Sequence, residues 1–176
     1  MKVFKKCEGG RFLPALILLL LLAAGLLLLP FCTCLSLSTE EQGTVCALPL
    51  KDGEQFSIRF MHSVNRSPVV DTMERTGKTI TIRSSLYRSF GAGMPASADE
   101  VGEEATFTET PEGIYIDGID LEKDEIHKFT GTYADHYLLY RGRELRLKEL
   151  VGEQTDLCFK LRRFSFLQIL YYGRLM

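Results

Sequence analysis

Between Phe12 and Leu37 the chain has no charged residue, whereas everything from Ser38 onward is polar and rich in charge. The absence excludes an ordinary surface helix, which needs a polar face toward water. From Phe12 to Leu29 every residue is apolar, Gly or Pro, and a helix of about 20 such residues crosses a bilayer. The segment also lacks what a cleaved signal peptide needs. Its apolar run exceeds the usual span of about 7–15 residues, and the best small-x-small candidate is Ser36-Leu37-Ser38. A lipid on Cys32 or Cys34 would need small residues before the cysteine, and Phe31 stands before Cys32.

Lys2, Lys5, Lys6 and Arg11 precede the run, and Glu40 and Glu41 follow it. Excess positive charge stays in the cytoplasm. The expected organisation is a cytoplasmic basic tail (1–11), a transmembrane anchor or uncleaved signal (12–37) and an extracytoplasmic domain (38–176). This makes a single-pass protein of the cytoplasmic membrane with its N-terminus inside.

The exported part has no excess of positive charge. From Ser38 to Met176 there are 17 Lys+Arg against 22 Asp+Glu, a formal charge of −5. Nucleic acid, bound through neutralised phosphates, is excluded as a partner. Convincing helical periodicity is also missing before the last residues. Period-two patterns take its place over 44–50, 55–62, 69–76, 79–86, 105–109, 113–119, 136–140, 144–150 and 156–166. They read as strands separated by turns such as Asp52-Gly53, Gly77-Lys78 and Arg141-Gly142-Arg143. The expected fold is all-β, an antiparallel β-sandwich or partly open barrel. The apolar end, Phe164 to Tyr172, reads as packing on the core, with docking on a membrane surface as the alternative. Cys46 and Cys158 would permit a disulfide in an oxidising compartment; the favoured reading is two small buried hydrophobes.

Catalytic signatures are scarce. The acidic run Asp117, Asp120, Glu122, Asp124, Glu125 lacks the spacing of a calcium loop and reads as a solvated turn. No nucleophile elbow accompanies His62 and Ser63, whose side chains leave a strand on opposite faces. What stands out is a strand, a polar connection and a second strand, carrying Arg59, His62, Ser63, Asn65, Ser67 and Asp71. A second stretch, Ser89-Phe90-Gly91-Ala92-Gly93-Met94-Pro95, has glycines where the backbone bends sharply or approaches a ligand. His62 and Asp71 are read as hydrogen-bonding each other across a hairpin; the alternative is a metal site with a third ligand from His127, His136 or the acids of 99–104. No cofactor is implied.

The pairing of R-F-x-H-S-V-x-x-S-P-V (Arg59 to Val69) with S-F-G-A-G-x-P (Ser89 to Pro95) resembles a bacterial family known only as domain of unknown function 1850, over about Thr44 to Leu161. The resemblance implies an association with tripartite ATP-independent periplasmic (TRAP) transporters that take a TAXI solute receptor. Members commonly carry Glu where this chain has Asn65, and Asp71 keeps the other carboxylate. The expected function is therefore a non-enzymatic, membrane-anchored accessory module, its partner the permease or its receptor. A small-ligand or metal-binding envelope sensor is the alternative, and an envelope hydrolase the least supported reading.

Overall fold

The computed structural model describes residues 12–62, 66–88, 105–132 and 134–175. Helix α1 covers Phe12–Leu28 and is followed, after Leu29-Pro30-Phe31, by strands β1 (Cys32–Thr39), β2 (Gly43–Pro49), β3 (Gln55–Met61), β4 (Pro68–Thr76) and β5 (Thr79–Tyr87). Then come β6 (Thr106–Thr110), β7 (Gly113–Lys123), β8 (Glu125–Thr130), β9 (His136–Tyr140) and β10 (Arg143–Arg146). Helix α2 (Leu147–Val151), β11 (Thr155–Phe164), α3 (Phe166–Tyr172) and a 3-10 turn at Gly173–Leu175 follow among the described residues.

Two antiparallel sheets form, one in the order β2-β1-β11-β8 and one in the order β10-β9-β3-β4-β5-β7-β6. Neither sheet closes on itself, so among the described residues the architecture is a sandwich and not a barrel. The alternation of β3, with Phe56 and Ile58 buried between Gln55, Ser57 and Arg59, shows why the segment is a strand: one face enters the core and one meets water. The core joins Leu35, Leu37, Cys46, Leu157 and Phe159 of the smaller sheet to Phe56, Ile58, Met73, Ile80 and Leu138 of the larger. At the β9–β10 hairpin, Arg141 (φ 49°) and Gly142 (φ 73°) both lie in the left-handed region, as a two-residue type I′ turn requires.

The apolar run 12–37 does not make one element. Helix α1 stops at Leu28, and Cys32–Thr39 is a strand in the interior of the smaller sheet, paired with both β2 and β11. It escapes the alternation rule because both faces are covered. Leu35 and Leu37 meet the opposite sheet, while Cys34 lies under α3 with Ala47 and Phe164. No helix among the described residues is long and apolar enough to cross a membrane; α1 has 17 residues, about 25 Å against a hydrocarbon core of about 30 Å.

Other expectations are corrected as well. Of the segment 144–150, only Glu144 to Arg146 is strand, in β10; Leu147–Val151 turns into α2 so that Leu147 and Val151 are buried. The acidic run 117–125 is no solvated turn, since β7 extends to Lys123 and β8 begins at Glu125. A Cys46–Cys158 bridge does not form, and Cys32, Cys34, Cys46 and Cys158 are free thiols. Cys46 and Cys158 sit on strands with β1 between them, about 10 Å apart, and Cys46 alone joins the core between the sheets. That separation exceeds disulfide reach. Burial pushes the Cys34 thiol up to about 12 and the Cys46 thiol to about 11, so both behave as inert small hydrophobes. The end of the chain is helix α3, capped at Ser165, with Ile169 and Tyr172 against the sheet and Phe166, Leu167, Leu170 and Tyr171 exposed.

A chain that begins at Ser38, as cleavage there would leave it, loses all of β1 but its last two residues. It is expected to show no cooperative thermal unfolding by circular dichroism, whereas a chain beginning at Phe31 retains a sharp transition.

Candidate functional site

One end of the sandwich gathers polar groups between the sheets. Asp71, on β4, lies opposite Ile58 of β3 and shares the inward face with Val69 and Met73. Ser85 Oγ donates to Asp71 Oδ1 (2.8 Å), and Lys128 Nζ reaches across from β8 in the other sheet to Asp71 Oδ2 (3.0 Å). About a fifth of each of the two charged side chains is exposed. The ammonium of Lys128 also lies 4.7 Å from the centre of the Phe60 ring, which in turn stacks on His136 at 5.3 Å. His136 Nδ1 contacts the Ala134 carbonyl (3.1 Å); a carbonyl only accepts, so this nitrogen carries the proton. Burial, with the Lys128 ammonium adding to it, holds the imidazole below its ordinary value, so His136 is kept neutral.

A β-bulge builds this cluster. The register of β4 with β5 shifts by one between Thr72 and Met73, leaving Arg83 as the extra residue. Ile80 and Ile82 face the core before the bulge, and Ser85 and Tyr87 face it afterwards. Arg83 is held outside by Glu74 (2.9 Å) and by Asp120.

The hairpin between β3 and β4 is closed by backbone hydrogen bonds among its described residues. His62 N–H donates to the Ser67 carbonyl and Arg66 N–H to the His62 carbonyl, both at 2.9 Å, with Arg66 in the left-handed region (φ 49°). Ser67 is buried, and its hydroxyl finds no partner among the described residues. The His62–Asp71 hydrogen bond read from the sequence is not how this carboxylate is used: its oxygens take Ser85 and Lys128. His62 lies four residues beyond Ile58, the residue that Asp71 faces, about 13 Å along the strand, which also parts the two as metal ligands. Arg59 stands on the outer face. Its guanidinium lies 4.6 Å above the centre of the Tyr137 ring and is paired with Glu144 (2.5 Å), so it ties β3 to β9 and β10. Ser63, Asn65, Ser89, Phe90, Gly91 and Gly93 lie outside the described residues. Beside the hairpin, a pocket of about 290 Å³ is lined by Arg59, Phe60, Met61, Pro68, Asp135 and Tyr137.

Sequence reasoning missed Lys128 and Ser85, and named His136 only as a possible metal ligand, not as the ring stacked on Phe60. The signal for Lys128 was present in Glu125-Ile126-His127-Lys128-Phe129-Thr130, where the lysine shares parity with Ile126 and Thr130. Reading 117–125 as a turn hid it.

Removing the carboxylate leaves Lys128 facing a mostly apolar wall. Asp71→Asn is expected to cost about 1–3 kcal/mol in chemical denaturation, less than for a fully buried pair because water reaches these groups. Adding Lys128→Met to it should restore part of the loss. The depressed His136 imidazole works in the other direction with pH: the unfolded chain binds the proton more readily, so stability falls as pH drops below about 6.5, the ordinary imidazole value. His136→Phe, which keeps the stack on Phe60, is expected to flatten that limb in thermal melts taken between about pH 7 and pH 5.

A family model described as Domain of unknown function (DUF1850) matches residues 56–147, a shorter span than the motifs suggested. Neither the curated proteins nor the solved structures yield a match.

Proposed function

The chain belongs to the domain of unknown function 1850 family, and on that footing we propose that it is a non-enzymatic, membrane-anchored extracytoplasmic accessory module of a solute transporter of the TRAP type. The observation that carries the reading is the three-residue connection, Leu29-Pro30-Phe31, between a helix that is apolar on every side and a strand that the core requires. Leucines of α1 from Leu13 to Leu28 are 42–67% exposed, a surface that water does not tolerate and lipid does. A helix about 5 Å short is accommodated by local thinning of the bilayer. Lys2, Lys5, Lys6 and Arg11 then anchor the cytoplasmic side. Helix α3 touches α1 and carries Phe166, Leu167, Leu170 and Tyr171 outward with Arg174 close by, a pattern suited to the headgroup boundary.

On this reading the polar end of the sandwich points away from the membrane. Lys128 pairs with Leu157 on β11, and Cys32, next to α1, pairs with Phe164; seven residues of strand put the two about 23 Å apart. A site at that height addresses a component outside the bilayer, which favours the TAXI solute receptor over the buried part of the permease. The pocket beside Arg59 and Tyr137 supports a second reading, recognition of a small solute by the module itself, since its volume is near the lower end for ligand sites.

Membranes bearing the full chain with a photo-crosslinking residue at Met61, which is 44% exposed at the edge of this end, separate the readings. Crosslinking to the solute receptor, with the protein retained in the pellet after alkaline carbonate washing, is the expected result. Release into the wash would remove the anchor. Absence of any crosslinked protein, combined with a rise in melting temperature on adding a candidate solute, would replace the accessory reading by the second.

A further inference from the structure

On the outer face of the smaller sheet, far from the Asp71–Lys128 cluster in chemistry and opposite to it in facing, a different set of donors converges. The register of β8 with β11 sets His127 directly opposite Cys158 and Glu125 opposite Lys160. Alternation puts Glu125 and His127 of β8 on the same side as Asp156, Cys158 and Lys160 of β11, because Ile126, Leu157 and Phe159 fill the inner face. One carboxylate oxygen, one imidazole nitrogen and the Cys158 sulfur lie within 4.8 Å of one another.

The details of the group fit a metal ion. His127 Nδ1 is held by Asp156 Oδ2 at 2.6 Å, which fixes the ring and turns Nε2 toward Glu125 Oε1 at 3.5 Å. That distance is close to the roughly 3.4 Å separating two ligands on one tetrahedral zinc with bonds of about 2.1 Å. A carboxylate behind a ligating histidine is the usual second layer of such sites. Lys160 occupies Glu125 Oε2 at 2.8 Å and leaves Oε1 for the ion. Ser38 of β1 pairs with Cys158 from the other side and gives the sulfur a hydroxyl neighbour, while burial and the Glu125 carboxylate hold the thiol above its ordinary value.

The geometry points to a site for a borderline divalent cation, zinc in the first place, held by Glu125 Oε1, His127 Nε2 and Cys158 Sγ. Sulfur, imidazole and a single carboxylate suit zinc better than calcium or magnesium, which demand oxygen alone. Three protein ligands leave the fourth position open to water or to a donor from a partner. The site also ties β8, the edge strand of the smaller sheet, to β11. It is independent of the transporter reading, since it uses neither the anchor nor the motif hairpin, and Cys158 lies beyond the residues that the family model matches.

The full chain, purified in detergent micelles under a thiol reductant and freed of metal, is titrated with Co²⁺. One equivalent is expected to produce tetrahedral d–d bands and a thiolate-to-cobalt band in the near ultraviolet. Cys158→Ser should abolish the thiolate band, and Asp156→Asn should weaken binding by about 10–100-fold with an unchanged circular dichroism spectrum. In the unsubstituted chain, Zn²⁺ should slow alkylation of Cys158 by iodoacetamide, read by mass spectrometry, which keeps the test open if a variant does not fold. A thiolate band that survives Cys158→Ser, no band at all, or alkylation of Cys158 at the same rate with and without Zn²⁺ would overturn the proposal.

Discussion

The burial of β1 on both faces is the constraint on which the rest of the structure depends. The strand pairs with β2 on one side and β11 on the other, puts Leu35 and Leu37 into the core, and turns Cys34 toward α3. A strand so placed cannot leave without exposing both its neighbours' hydrogen-bonding edges and the central packing between the sheets. Because only three residues separate it from α1, the same strand keeps α1 next to this end of the sandwich. Helix α3 extends that end of the molecule, since it starts two residues after Phe164, the pairing partner of Cys32.

At the other end the sandwich opens and polar groups come between the sheets. Asp71 and Lys128 would each be costly there alone; together, with Ser85 and the Phe60 ring, they are satisfied. The Arg83 bulge is what makes the cluster possible, because it brings Ser85 to the inner face. The motif hairpin is closed separately, by the backbone pair of His62 and Ser67. The two candidate sites therefore differ in kind. One joins the sheets from inside, and the other, Glu125–His127–Cys158, decorates a single sheet from outside.

Much of the fold was legible in the amino-acid order. The alternation over 55–62, 69–76 and 136–140 predicts strands, and Gln55–Met61, Pro68–Thr76 and His136–Tyr140 are strands, because one buried and one wetted face leave an imprint of period two. The elements that escaped lack that imprint for definite reasons. Cys32–Thr39 is covered on both sides, so it reads as a continuation of the apolar helix before it. Glu125–Thr130 puts a lysine at an inward position, and its charge reads as surface. Leu147–Val151 is a single turn of helix whose stability comes from burying Leu147 and Val151 rather than from any local periodicity.

The candidate site was legible only by half. The chain order itself establishes the uncharged N-terminal run, the strands that alternate, and the motif residues from Arg59 to Asp71, because each is a property of neighbours in sequence. Tertiary structure alone decides that Arg59 faces outward to Tyr137 and Glu144, that Asp71 finds Lys128 57 residues away, and that His127 and Cys158 meet while Cys46 and Cys158 do not. Those outcomes follow from register, from a one-residue bulge and from which sheet a strand joins. None of the three leaves a mark on the local pattern of apolar and polar residues, since a strand keeps the same period whatever partner it pairs with.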